Sequence, residues 1–367
     1  MSLNENVFNA NKSDYAETPL ILGKQKAGLF DTIHKRFPDI WELYEKQVSL
    51  EWSPSEFNFT NSIQDFETCD KSVYDIMIKT LAWQWEADSI FSRAIAPVFA
   101  PFITNSELWA AWLKVTSIEV VHSINYSEIV RNSFRNPKDV LDEILSVQES
   151  HGRIDSVAKV FEDGYEASHL YALGKIENDQ DLYDKFMLMV LALYLGERVQ
   201  FMSSFAITFA ICETGLFQAV GKSIQKICQD EFEVHAQLDK VVFKHELQTE
   251  RGKLFRERNN DIINKLICDV IESEFTWTNY LFSEGRSIIG LNEDILKQWV
   301  LYCSGDVIRT LKADVDYTIP KKNPLKYMEH WINIGLIQPS PQEQDVAMYA
   351  LNNMVRDDSE VEFDVDF

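Results

Sequence analysis

Glu119-Val120-Val121-His122-Ser123-Ile124-Asn125-Tyr126 decides the fold. On a helix advancing about 100° per residue, Glu119 and His122 lie roughly 60° apart, and Tyr126 falls about 20° from the line of Glu119. A carboxylate, an imidazole and a phenol thus share one face, with Val120, Val121 and Ile124 around them. A carboxylate desolvated in such company needs a partner, because an unpaired buried charge costs several kcal/mol or neutralises itself. Working outward, Asp88 precedes Glu119 by 31 residues, and Glu197 precedes Glu231 by 34, with His235 four residues further on. A single carboxylate followed by a carboxylate/histidine pair therefore occurs twice. Six oxygen and nitrogen donors on four helices are what a pair of first-row metal ions requires, and the donor set suits iron or manganese.

A lone Glu-x-x-His is common on helix surfaces, and Glu166-Ala167-Ser168-His169 is read as one. No helix carrying a buried carboxylate precedes it at similar spacing, and Gly164 and Gly174 bracket it. His34, His151, His245 and His330 lack comparable company and are expected to be structural or exposed. Tyr126 by itself is an ordinary core tyrosine. Phe201, Phe205 and Phe209 follow Glu197 at steps of four, lining the neighbouring space with rings.

From about Lys71 onward the periodicity is helical, with helices expected near 71–98, 103–134, 138–150, 153–172, 180–213, 217–247, 258–286 and 293–314. Pro97 and Pro101 divide the first two, and Gly215 divides the fifth from the sixth. Alternating strand-like segments are scarce, so the fold class is all-α, a bundle with unusually long helices. Residues 1–70 read as an arm with short helical pieces around Pro38-Asp39-Ile40-Trp41 and a loop at Trp52-Ser53-Pro54-Ser55, 71–338 as the helical domain, and 339–367 as an acidic tail. The apolar runs Phe186–Leu195 and Phe201–Cys212 are interrupted by Glu197, Arg198 and Gln200, and neither approaches the roughly 20 residues of a membrane span. They are expected to form one long buried helix.

The formal charge of −23, with no basic cluster to offset it, argues against a nucleic-acid surface. Cys69, Cys212, Cys228, Cys268 and Cys303 are isolated, and reduced core thiols are expected. No apolar leader opens the chain, so a cytoplasmic protein that does not enter membranes is expected. Arg356 to Phe367 carries six acids against one arginine and alternates acid with apolar residues toward its end. Such a tail is commonly a solubilising terminus; it can also order on a partner, with Phe363 and Phe367 as anchors.

The segment Glu119 to Tyr126, with Asp88-Ser89-Ile90 ahead and Asp230-Glu231 behind, resembles the small (β) subunit of class I ribonucleotide reductase. The resemblance runs from Trp52-Ser53-Pro54-Ser55-Glu56 to the acidic tail. It implies a ferritin-like bundle whose core holds two iron ions, with manganese as the other candidate, on Asp88, Glu119, His122, Glu197, Glu231 and His235. It further implies that O2 and a small electron donor generate a stored radical on Tyr126, in an apolar pocket of Phe201, Phe205 and Ile227. The resemblance assigns radical transfer to Trp52, Asp230 and, in the tail, Tyr349. The large (α) subunit, bound through that tail, would reduce ribonucleotides, and the small subunit would be a homodimer. This chain has no Gly-rich phosphate loop, in keeping with a substrate bound elsewhere.

Two departures stand out. The last glutamate and histidine of the family are normally three apart, whereas Glu231 and His235 are four apart, in an α-turn or a π-bulge. Gln229 stands where relatives often carry arginine. The other reading is a ferritin-like iron store or a substrate-oxidising di-iron enzyme. Neither needs Tyr349 or an acidic-apolar terminus.

Overall fold

Local signals in the chain place its helices. The computed structural model describes residues 18–23, 30 and 32–334. Pro38, in the first turn where its missing N–H costs nothing, opens α1 (Pro38–Ser49), and α2 (Ser62–Thr68) follows. Next come α3 (Lys71–Phe99) and α4 (Ser106–Ser133), the latter capped by Asn105, whose side chain accepts the Leu108 N–H at 2.9 Å. After α5 (Pro137–Leu145) and α6 (Glu149–Ala172), Asp179 caps α7 (Gln180–Leu195). A π-helical turn, Gly196–Phe201, joins α7 to α8 (Met202–Cys212). A second, Glu231–His235, joins α9 (Gln218–Asp230) to α10 (Ala236–Glu246). The described chain ends with α11 (Glu250–Arg258), α12 (Asn260–Phe282), α13 (Glu293–Leu311) and α14 (Lys326–Ile332). The described residues contain no strand, only the isolated bridges Ile21–Ile103 and Ile288–Leu291.

The expected bundle is thus present, with local differences. α3 continues through Pro97, close enough to the helix end that the lost hydrogen bond is tolerated. α6 begins earlier than the sequence indicated and runs straight through Gly164, where a Cβ would lie 2.0 Å from Met189 Sδ on α7. That glycine permits close helix approach and does not break the helix. α11 and α14 were not anticipated.

Gln180–Cys212 is continuous and apolar enough by length and composition to cross a membrane, but it is almost wholly buried among the other helices. It is the central core helix. The apolar residues of α4 fall on two faces. Ile118, Ile129 and Tyr126 point inward, whereas Val120 (45% exposed) and Ile124 (48%) point away from the bundle with Leu113 (49%). Reading Val120 and Ile124 as lining for the Glu119/His122 pair is therefore corrected: they flank it in sequence and face the opposite way.

Candidate metal centre

α3 carries Asp88, α4 carries Glu119 and His122, the first π turn carries Glu197, and the second begins at Glu231 and ends at His235. All six are buried to 1% exposure or less. They converge into two adjoining clusters, Asp88/Glu119/His122/Glu231 and Glu119/Glu197/Glu231/His235, each with its ligand atoms within 4.8 Å of one another. Glu119 and Glu231 belong to both, the placement that bridging carboxylates would need. His122 Nδ1 lies 3.3 Å from Glu231 and 3.6 Å from Glu119; His235 Nδ1 lies 2.9 Å from Glu119 and 3.4 Å from Glu231. The two imidazoles are 5.6 Å apart between centroids. The second π turn resolves the spacing of Glu231 and His235: the extra residue is taken up by i→i+5 geometry, the bulge alternative.

The electrostatics show what this cluster demands. Neither oxygen of Asp88, Glu119, Glu197 or Glu231 has a well-formed hydrogen bond, although all are fully enclosed. Burial, then the neighbouring Glu119 carboxylate, pushes Asp88 well above the usual carboxylate range. Burial, then Asp239 and Glu231, does the same to Glu197. Burial would also raise Glu119, but the two imidazoles hold it down at about 2. Burial would lower both histidines; Asp230, Glu119 and Glu231 overcome it at His122, taking it well up, and Glu231 and Glu119 overcome it at His235, taking it to about 10. So many desolvated acids around two imidazoles call for positive charge, and dications supply it through the oxygen and imidazole donors present. The residues fit a pair of metal ions.

Around this centre, Asp230 gathers three side chains. Its Oδ2 accepts from Trp52 Nε1 at 2.8 Å and lies 3.1 Å from His122 Nε2, while its Oδ1 accepts from Gln47 Nε2 at 2.8 Å. A carboxylate on the outer nitrogen fixes the imidazole so that Nδ1 faces the cluster. The Trp52 ring is nearly parallel to that of His122, 6.1 Å away. Tyr126 is fully buried with no hydrogen-bond partner on its hydroxyl; burial and then the Asp88 carboxylate push its phenol well up. Ile227, on α9, is fully buried as well. Phe201 and Phe205 are fully buried in an aromatic file, Trp83–Phe201–Phe205–Phe209–Trp331, with centroid spacings of 4.8, 5.8, 6.2 and 4.4 Å.

Glu166 and His169 lie on the exposed side of α6, and the His169 ring packs on Tyr165, so that pair stands apart from the centre. His34, His151 and His330 are exposed, and His245 pairs with Asp39 at 2.9 Å. The five cysteines are free thiols. Gln229 is buried, and nothing in the structure assigns it a role. Tyr349, Phe363 and Phe367 lie outside the described residues. Sequence reading missed Asp239, a fully buried acid whose oxygens lack hydrogen bonds and which faces Glu197 and the Trp112 indole. The available signal was its place four residues after His235, continuing the Glu231/His235 step.

A helical bundle that draws four carboxylates and two histidines into two adjoining clusters with shared glutamates belongs to the carboxylate-bridged di-metal class. The family model described as "Ribonucleotide reductase, small chain" matches residues 30–324, and the chain belongs to that family. Similar proteins include the ribonucleoside-diphosphate reductase β subunits of Buchnera aphidicola subsp. Schizaphis graminum and Salmonella typhimurium, each 27% identical over 97% of both chains. That of Enterobacteria phage T4 is 26% identical over 96% of both. Among solved structures, the ribonucleotide reductase R2 subunit from Clostridium botulinum superposes with a TM-score of 0.78 at 19% identity, covering 89% of this chain and 98% of that one. Streptococcus sanguinis dimanganese(II)-NrdF gives a TM-score of 0.65 at 14% identity, covering 84% and 100%.

Proposed function

We propose that this chain is the radical-generating subunit of a ribonucleoside-diphosphate reductase, holding two metal ions on Asp88, Glu119, His122, Glu197, Glu231 and His235. Iron is the metal expected, with manganese as the alternative for the same donors. The observation that carries the proposal is Tyr126, enclosed one turn beyond His122 on α4, with Asp230 linking the same His122 to the indole of Trp52. When bound, the metal pair supplies oxidising power by reducing O2. The protein supplies the place where the hole rests. Tyr126 gives up an electron and a proton from a fully enclosed position, with no hydrogen-bond partner on its hydroxyl and the Asp88 carboxylate acting on it. Cys228 beside it is held protonated by burial, then by the Glu231 carboxylate.

Trp52 is suited to pass the hole outward. Its N–H is held by Asp230, and an anion at that nitrogen favours removal of an electron and can accept the proton. Tyr349 would take the next step in the C-terminal segment, which docks on the large subunit where the ribonucleotide is reduced. The outward stripe Leu113, Val120 and Ile124 on α4 is the face we assign to a homodimer contact, since an apolar stripe along a long helix is suited to a partner helix. Free thiols at all five cysteines accord with a reducing cytoplasm.

Anaerobic loading with Fe(II) followed by O2 tests the reading by EPR. A sharp tyrosyl signal is expected, absent in Tyr126→Phe although that variant still binds two metals per chain. Fewer than two metals in the wild type, or a signal persisting in Tyr126→Phe, would overturn it.

A further inference from the structure

Arg153, on α6, is 2% exposed, and its guanidinium is enclosed on every side. Its Nε and Nη2 bind Glu274 of α12 as a fork at 2.6 and 2.7 Å. Nη1 donates to Ser204 Oγ at 2.8 Å, and Nη2 also reaches Ser203 Oγ and the Gln200 carbonyl, both at 2.7 Å. Gln200 answers by donating its side-chain amide to the Arg153 carbonyl at 2.8 Å. One face of the guanidinium lies 3.7 Å from the Trp83 ring centroid, and Trp83 in turn packs on Phe201.

A fully buried ion pair is poor value for stability, because desolvation offsets most of the attraction. Its worth lies in what it holds in place. Here the fork is aimed at Gln200, inside the π turn Gly196–Phe201 that carries Glu197 near its start. A π turn widens the helix and disturbs the regular pairing of its carbonyls, so outside donors are needed to keep its shape. Arg153 of α6 donates to the Gln200 carbonyl, while Glu274 of α12 holds Arg153 and accepts from Ser203 just past the turn, so α6 and α12 grip the end of the turn opposite Glu197. At the other end Gly196 lets Phe91 of α3 approach to where a Cβ would be 2.8 Å from its ring. The turn is held at both ends. Asp88, Glu119 and His122 stand on regular helices; Arg153 meets α3 only through the face of the Trp83 ring, while all its side-chain hydrogen bonds go to Gln200, Ser203, Ser204 and Glu274.

We propose that Arg153 and Glu274 are positioning residues that fix the π turn and thereby hold the Glu197 carboxylate on the second cluster. The proposal rests on the reading of Glu197 as a metal ligand. It places the effect of the clamp on one metal of the pair, which a general contribution to stability would not do.

Mn(II) titration of the metal-free full-length chain, with free Mn(II) followed by EPR, tests this. The variant R153M/E274M replaces the ion pair by apolar side chains and leaves no lone buried charge; R153K keeps the charge and loses the fork. The wild type is expected to take two Mn(II) per chain. R153M/E274M should keep one site at wild-type affinity and weaken the other by about tenfold or more, with R153K in between. Both sites unchanged in a folded double variant, or both weakened equally, overturns the clamp. Should the double variant fail to fold by circular dichroism, R153K decides, and an unchanged second site in it overturns the proposal. Fewer than two sites in the wild type would instead remove the ligand reading beneath it.

Discussion

The two halves of the centre reach the same donor set by different means. Asp88 and the Glu119/His122 pair stand on α3 and α4, regular helices in which a step of three brings two side chains to one face. Glu197, Glu231 and His235 all stand on π turns. In a widened turn, positions four apart come back into line, so Glu231 and His235 still point together. Apart from the shared Glu119 and Glu231, the donors of one half thus stand on regular helices, and those of the other on two local distortions. Distortions of this kind persist where the surroundings over-determine them, and they concentrate at functional sites.

The largest effect separates shared residues from those of one half. Glu119 and Glu231 reach both clusters, whereas His235 reaches only the second. Glu231→Ala is therefore expected to leave less than one metal per chain after anaerobic Fe(II) loading and desalting. His235→Ala should retain one. Elemental analysis reads the difference directly. Two metals in Glu231→Ala would mean that the carboxylate bridges nothing, and the division into halves sharing two glutamates would fall.

How far this was legible in the chain follows the same division. Glu119 and His122 could be found because the helical period and their apolar neighbours are local facts. The repeat of the pattern at Glu197 and Glu231/His235 gave the number of metals. Whether the second pair sat in an α-turn or a bulge could not be read, since one extra residue fits both until the packing of α9 and α10 is known. Gln47 on Asp230, and Arg153 on Glu274, were invisible for another reason: their partners lie 183 and 121 residues away in sequence. Val120 and Ile124 were misplaced because α4 has two apolar faces, and periodicity reports a face without saying which neighbour covers it. Asp239 carried a readable spacing but no reason to prefer burial over solvent.

A smaller effect concerns pH in the metal-free protein. Burial raises the carboxyls of Asp88 in the first half and of Glu197 and Asp239 in the second. His122 and His235 are raised as well against their burial, His122 by Asp230 and the glutamates and His235 by Glu231 and Glu119. A group with a folded pKa above its unfolded value adds stability that is complete below the unfolded pKa and lost as pH rises through the folded one. For His235 that window runs from 6.5 to about 10. Glu119 acts oppositely, but its contribution is lost only as pH falls from 4.5 toward about 2. Between pH 6 and pH 9 the chelated protein should therefore lose stability, by about 5 °C or more in Tm. Metal binding should strengthen over the same range, because metal displaces those protons. Asp239→Asn removes one raised carboxyl from the second half and should flatten the slope. A chelated protein that melts higher at pH 9 than at pH 6 would contradict the assignment of these groups.

The smallest effect asks whether the second half needs its extra residue. A π turn acts as a one-residue insertion, so α9 and α10 keep their faces on either side of it. Glu233 sits in the middle of Glu231–His235, partly exposed and paired with Lys46 of α1, an interaction worth about 0–1 kcal/mol at such a site. Deleting Glu233 would return the pair to the three-residue step of Glu119 and His122 and let the helix run straight. The shortened chain is expected to fold, to bind two metals, and to hold the second less than about tenfold more weakly, since only the angle of one imidazole changes. Selective loss of the second metal would show instead that the four-residue step is required. The surrounding residues, Asp239 and the clamped Glu197 among them, would then be fitted to a widened turn, and the two halves could not be exchanged.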